Sequence, residues 1–156
     1  MKDKITIYKE IHEKWKYLYD PQSPWYTNLS NAVALLHEKL GYFWTGFYLV
    51  DNNLLQLGPF QGPTACTRIS KGKGVCGTCW EEQTTQIVPN VHEFPGHIAC
   101  SSLSESEIVI PCFNKNGEIW AVLDIDSKIL NDFDLVDKQE LEFFCASLEQ
   151  IDHDRN

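Results

Sequence analysis

The chain has 156 residues, 43% of them hydrophobic and 22% charged, the composition of one globular domain spanning residues 1–156 and not of a disordered chain. No apolar run approaches the ~20 residues needed to cross a bilayer, and the opening MKDKITIYKE has no apolar signal segment, so a cytoplasmic protein with no membrane partner is expected. The net charge of −9 is lopsided: residues 1–100 hold nine acidic and nine basic side chains, residues 101–156 thirteen and four, and Arg68 and Arg155 are the only arginines, which argues against nucleic acid as a partner and against an anion site built from several guanidiniums.

In chain order, residues 5–19 place Ile5, Tyr8, Ile11, Trp15 and Leu18 on a helical stripe that Pro21 and Pro24 end. Residues 25–40 predict a second helix through Leu29, Ala32, Val33, Leu36 and Leu40, closed by Gly41. The aromatic and β-branched FWTGFYLVD (43–51), the Asp-Asn-Asn turn and LLQLG (54–58) predict a hairpin. ACTRIS (65–70) reads as a strand, VCGTCWEEQ (75–83) as a short helix and QIVP (86–89) as a short strand. EIVIPCF (107–113) and EIWAVLDID (118–126), joined by Asn-Lys-Asn-Gly, make a second hairpin, and residues 134–152 a final helix with Asp134 as its N-cap. Helices grouped at the ends of antiparallel strands predict an α+β fold.

Four of the six cysteines, Cys66, Cys76, Cys79 and Cys100, fall between positions 66 and 100; without a signal segment such clustering points to metal or redox chemistry rather than to structural disulfides. Residues 72–77 fit G-x-G-x-x-G, but the βαβ unit that gives this motif its meaning is missing, which leaves a glycine turn into a helix. That turn sets Cys76 near a helix N-terminus, where the dipole favours thiolate. Cys76 and Cys79 form a C-x-x-C, with His92, His97 and Cys100 downstream; a zinc site and a redox pair are both readings of it, although a single knuckle at these spacings matches no standard zinc ribbon. In the segment 94–102, Pro95 and Gly96 set a turn and the backbone of His97, Ile98, Ala99 and Cys100 offers N–H groups for a carboxylate, with the Cys100 sulfur among small residues. Strand alternation puts Asp124 and Asp126 on one face, and Glu107 opens the partner strand. Three close carboxylates either stand as solvated strand ends or form a pocket for an ammonium group that keeps one carboxyl protonated.

The chain carries, in this order, WTGFYL (44–49), GPFQG (58–62), ACTRI (65–69), GVCGT (74–78), HIAC (97–100), SEIV (106–109) and LDID (123–126). Together these resemble the free methionine-(R)-sulfoxide reductases, a branch of the GAF-domain proteins. The resemblance implies a six-stranded antiparallel sheet with the N- and C-terminal helices packed on one face and a loop-enclosed pocket. It implies an oxidoreductase for free methionine-(R)-sulfoxide that needs no cofactor or metal and is recycled by thioredoxin, with a homodimer left open. By motif, Cys100 is the nucleophile, Cys66 the resolving cysteine and Cys76 an additional recycling thiol; Glu107, Asp124 and Asp126 are the acidic substrate-binding set, and Trp44 and Tyr48 the aromatic wall. A non-catalytic GAF module that binds a small metabolite, and a zinc-stabilised domain, are the alternatives.

Overall fold

The computed structural model describes residues 2–97 and 102–155. Helix α1 (Lys4–Leu18) buries Tyr8, Ile11 and Trp15 and starts at Asp3, whose side chain accepts from the Thr6 N–H. Helix α2 (Trp25–Leu40) buries Leu29, Ala32, Val33 and Leu36 and ends at Gly41, which takes a left-handed φ of 72°. The strands are β1 (Trp44–Asp51), β2 (Leu54–Gln61), β3 (Arg68–Ile69), β4 (Gln86–Val88), β5 (Ser106–Phe113) and β6 (Ile119–Ser127). They form one sheet in the order β3-β2-β1-β6-β5-β4 with every pairing antiparallel. Helix α3 (Gly74–Glu82) lies between β3 and β4 in sequence, and α4 (Leu135–Ala146) and α5 (Glu149–Arg155) follow β6.

Alternation along the strands divides the interior in two. Phe47 and Leu49 of β1, Ile108 and Ile110 of β5, and Leu123 and Ile125 of β6 point to one face, where they meet Tyr8, Ile11, Leu29, Leu36, Leu141, Phe144 and Ile151 from α1, α2, α4 and α5. This is the expected helical layer. The other face carries Trp44, Tyr48, Val109 and Val122, and α3 covers it with Val75, Cys76, Cys79 and Trp80. The shift of face between neighbouring residues is what sends Asp124 away from the helical core while Leu123 and Ile125 build it.

Four elements differ from the sequence reading. β2 continues to Gln61 and β3 shrinks to two residues, with residues 62–67 outside the strands although the Leu57 N–H still donates to Thr67 O. A short 3-10 turn at Val91–Glu93, capped by Asn90, was not expected. The last helix breaks: the Ser147 N–H is shared among several carbonyls and its hydroxyl donates to Phe144 O, so a local side-chain bond displaces the helical ladder. Asp134 does cap α4, in a reciprocal capping box with Asp137.

Candidate active site

A cavity with about 570 Å³ of space unoccupied by atoms opens on the α3 face of the sheet. Its walls come from three sources. β1 supplies Trp44 and Tyr48; β5 and β6 supply Glu107, Asp124 and Asp126; the start of α3 supplies Gly74, Val75 and Cys76, with His97 and Ser104 closing the side.

The aromatic wall is built by spacing. Trp44 and Tyr48 lie on the same face of β1, and the rings stack with centroids 6.1 Å apart, while Trp44 also stacks on Phe60 at 5.3 Å. Gly46 stands between them, and a Cβ there would fall 2.4 Å from Phe60 Cβ and 2.6 Å from the Trp44 ring. Each ring is fixed by one hydrogen bond to the segment that follows β2: Trp44 Nε1 donates to Pro63 O at 2.9 Å and Tyr48 OH to Cys66 O at 2.9 Å. Burial, with Asp124 nearby, holds the Tyr48 phenol protonated far above its ordinary range.

The acidic set follows from register. Glu107 sits directly opposite Asp126 across the β5–β6 ladder, and Asp124 is two residues along on the same face, opposite Val109. Glu107 and Asp124 are 5% and 6% exposed, and Lys73 lines the same cavity, but among the described residues no lysine or arginine is a principal cause of the shift at any of the three carboxyls. Loss of water therefore dominates, and it pushes Glu107 and Asp126 well above the usual carboxylate range, with the remaining acidic neighbours adding to the effect. Asp124 is raised too by burial, with the neighbouring Glu107 and Cys76 opposing the shift. Glu107 has both aspartates as carboxyl neighbours, and Ser104 lines the cavity beside them. Glu107 is the hub of the arrangement, opposite Asp126 and beside Asp124, and burial favours its neutral form. His97 Nε2 lies 4.0 Å from a Glu107 oxygen, and burial lowers the His97 pKa, so the ring is neutral at pH 7.

Cys76 departs from the sequence expectation. It does sit in the first turn of α3, and no side chain caps that turn, yet the thiol is not activated. Burial, reinforced by Asp124, Glu107 and Asp126, pushes it well above its ordinary value; a helix end contributes at most ~1–2 kcal/mol in favour of thiolate, less than desolvation among carboxyls removes. The C-x-x-C is not a metal knuckle either. Cys79, on the next turn, points away from the cavity, with its Sγ 3.7 Å from Val109 O. The G-x-G-x-x-G stretch is the entry to α3, beside strands that are all antiparallel, which removes the dinucleotide reading.

Cys66 is disulfide-bonded, whereas Cys76, Cys79, Cys112 and Cys145 are free thiols. Ile98, Ala99 and Cys100 lie outside the described residues. Of the sequence-expected site residues, the structure brings Trp44, Tyr48, Cys76, His97, Glu107, Asp124 and Asp126 to one cavity. Ser104 and the backbone start of α3 were missed. Ser104 lacks any pattern that would flag it, but the uncapped glycine entry to α3 is a readable sign of N–H groups aimed at a cavity.

Comparison with known proteins then assigns the family. The GAF domain family model matches residues 26–151. The free methionine-R-sulfoxide reductase of Escherichia coli (strain K12) is 42% identical over 150 residues, covering 96% of this chain and 90% of the relative. The chain belongs to the free methionine-R-sulfoxide reductase family of GAF-domain proteins. The crystal structure of the Neisseria meningitidis member of that family, solved in complex with its substrate, superposes with a TM-score of 0.93 at 44% identity over 99% of this chain and 93% of that one. GAF domain-containing protein A of Dictyostelium discoideum is 61% identical over 115 residues, 73% of this chain and 72% of its own. Membership of this reductase family sets aside the non-catalytic GAF module, and among the described residues no helix is long and apolar enough to cross a membrane.

Proposed function

We propose that this protein, with residues 1–156 as one GAF domain, reduces free L-methionine-(R)-sulfoxide to methionine in the cytoplasm. The observation that carries the reading is a carboxyl trio, with Glu107 and Asp124 buried and Asp126 half-buried, that lines one cavity together with the aromatic Trp44 and Tyr48 on the same sheet face. In this reading Asp124 and Asp126 receive the substrate ammonium and Trp44 and Tyr48 pack on the S-methyl end. The substrate carboxylate is held by backbone N–H groups of His97, Ile98 and Ala99, with the start of α3 alongside, which suits a cavity without arginine.

The chemistry proceeds in three balanced steps. Glu107, the carboxyl that burial keeps protonated, donates to the sulfoxide oxygen and makes the sulfur electrophilic. The Cys100 thiolate attacks; the oxygen passes to the cysteine as sulfenic acid, and methionine, reduced by two electrons, departs. Cys66 then condenses with the sulfenic acid, releasing water and leaving a disulfide. That Cys66 is disulfide-bonded in the structure supports its resolving role. Cys76, the free thiol lining the cavity, is the third thiol of this reading and exchanges with that disulfide. An external dithiol of the thioredoxin type supplies the two electrons that reset the enzyme. No step calls on a metal or an organic cofactor.

A site that reads both the free ammonium and the free carboxylate rejects the same residue inside a peptide. Methionine release from free methionine-(R)-sulfoxide, coupled to thioredoxin and NADPH oxidation, is the test, run against N-acetylated, amidated methionine sulfoxide. Turnover is expected with the first substrate alone. Comparable turnover of the blocked substrate would overturn the proposal.

A further inference from the structure

We infer that the cavity floor is also a binding site for a thiophilic divalent cation of the zinc class, held by Cys76 Sγ, one Glu107 oxygen and one Asp124 oxygen. These three atoms lie within 4.8 Å of one another and all three residues are buried. Zinc–sulfur bonds of about 2.3 Å and zinc–oxygen bonds of about 2.0–2.2 Å place tetrahedral ligands roughly 3.5 Å apart, so the set closes with side-chain movements of about an ångström. An independent observation points to a ligand here: Asp124 Oδ1 has no hydrogen-bond partner, although Asp124 is 6% exposed and lines the cavity.

The choice of cation follows from the donor set. The substrate ammonium needs oxygen acceptors and has no use for a thiol beside them. Magnesium and calcium take oxygen ligands throughout. One sulfur and two carboxylate oxygens suit a borderline-soft ion such as zinc, whose fourth position then faces the open cavity. The Cys76 proton passes to solvent as the metal–sulfur bond forms, with no change in oxidation state. Because Glu107 and Asp124 also serve the proposed reaction, bound cation and substrate exclude each other; that consequence rests on the proposed function, whereas cation binding does not.

The test is a Co²⁺ titration of the full chain in its oxidised form, in which the disulfide keeps Cys66 from ligating. One equivalent is expected to bind with a near-ultraviolet sulfur-to-cobalt absorption, displaced by Zn²⁺ and unaffected by excess Mg²⁺. The absorption disappears in Cys76→Ser, and affinity falls at least tenfold in Asp124→Asn, circular dichroism confirming both folds. An unchanged absorption in Cys76→Ser, unchanged affinity in Asp124→Asn, or no stoichiometric binding by wild-type protein overturns the inference. Should Cys76→Ser not fold, Asp124→Asn decides alone. Reductase activity without metal binding sinks the cation site and leaves the reaction standing; metal binding without reductase activity does the reverse.

Discussion

The two faces of the sheet treat a buried carboxyl in opposite ways. On the helical face Asp137 is fully buried, and every partner is supplied: Tyr8 OH donates to it at 2.6 Å, Lys4 pairs with it, and the Asp134 N–H completes the capping box. On the α3 face Glu107, Asp124 and Asp126 are packed together without a cation, and one oxygen of Asp124 has no donor. Asp137 thus has a full set of donors, whereas the carboxyls of the α3 face have, among the described residues, a single nearby imidazole, His97, 4.0 Å from Glu107. The first arrangement stabilises the junction of α1 and α4; the second, in the proposed function, meets the charge that a ligand brings.

The sharpest way to break this comparison is at the sulfur. Cys100→Ser is expected to lower kcat by several orders of magnitude and to abolish single-turnover methionine release, while Cys66→Ser still releases one methionine per site and fails only in thioredoxin-driven recycling. Rapid-quench measurement of methionine separates the two; one methionine per site from Cys100→Ser would show the nucleophile to be elsewhere.

Removing one carboxyl from the α3 face comes next. Losing a hydrogen bond to a charged group costs about 1.5–3 kcal/mol, so Glu107→Ala, Asp124→Ala and Asp126→Ala are each expected to lose roughly tenfold to a hundredfold in kcat/KM with the fold intact by circular dichroism. Near-wild-type kinetics in any two of them would make these carboxyls solvated strand ends in function, whatever their burial. Removing the carboxyl of the helical face does the converse. Asp137→Ala leaves Tyr8 OH and a capped helix start without their acceptor and is expected to cost about 2–3 kcal/mol of stability, read as a lower denaturation midpoint, with kcat/KM per folded molecule unchanged at a permissive temperature.

The smallest effect concerns pH. Burial pushes Glu107 well above the ordinary glutamate value of 4.5, so the folded state holds a proton that the unfolded chain gives up. Its contribution to stability is complete below the unfolded value and is lost as pH rises toward the folded one. Glu107→Gln keeps the hydrogen-bonding shape and cannot ionise, so its melting temperature is expected to gain on wild type by a few degrees between pH 4.5 and pH 8, the difference growing with pH. A constant or shrinking difference across that range would mean that Glu107 is not the carboxyl holding the proton.

Much of this molecule is legible in its sequence because period and register are local properties. Alternation in LDID alone places Asp124 and Asp126 on one face, and the hairpin turn at 114–117 brings Glu107 across from Asp126. Spacing likewise gives α1 and α2 within one residue of their ends. What the sequence does not disclose is competition between effects. The start of α3 announces an activated Cys76, and only the packed structure shows that burial, reinforced by carboxyls from two distant strands, reverses the sign. The break at Ser147 has no glycine or proline to signal it, since a hydroxyl competing for a carbonyl is invisible until the helix exists. Ser104 becomes part of the site through a loop whose path no pattern predicts.

The two hydrogen bonds from Trp44 and Tyr48 to the carbonyls of Pro63 and Cys66 have a mechanical meaning. Both rings belong to a central strand that is paired on each side, so the segment bearing Cys66 is moored by its backbone to the stiffest part of the sheet. In the proposed reaction the chain passes through oxidised and reduced forms on one rigid frame, because Trp44 and Tyr48, the proposed substrate wall, also anchor the segment that bears Cys66, the proposed resolving thiol.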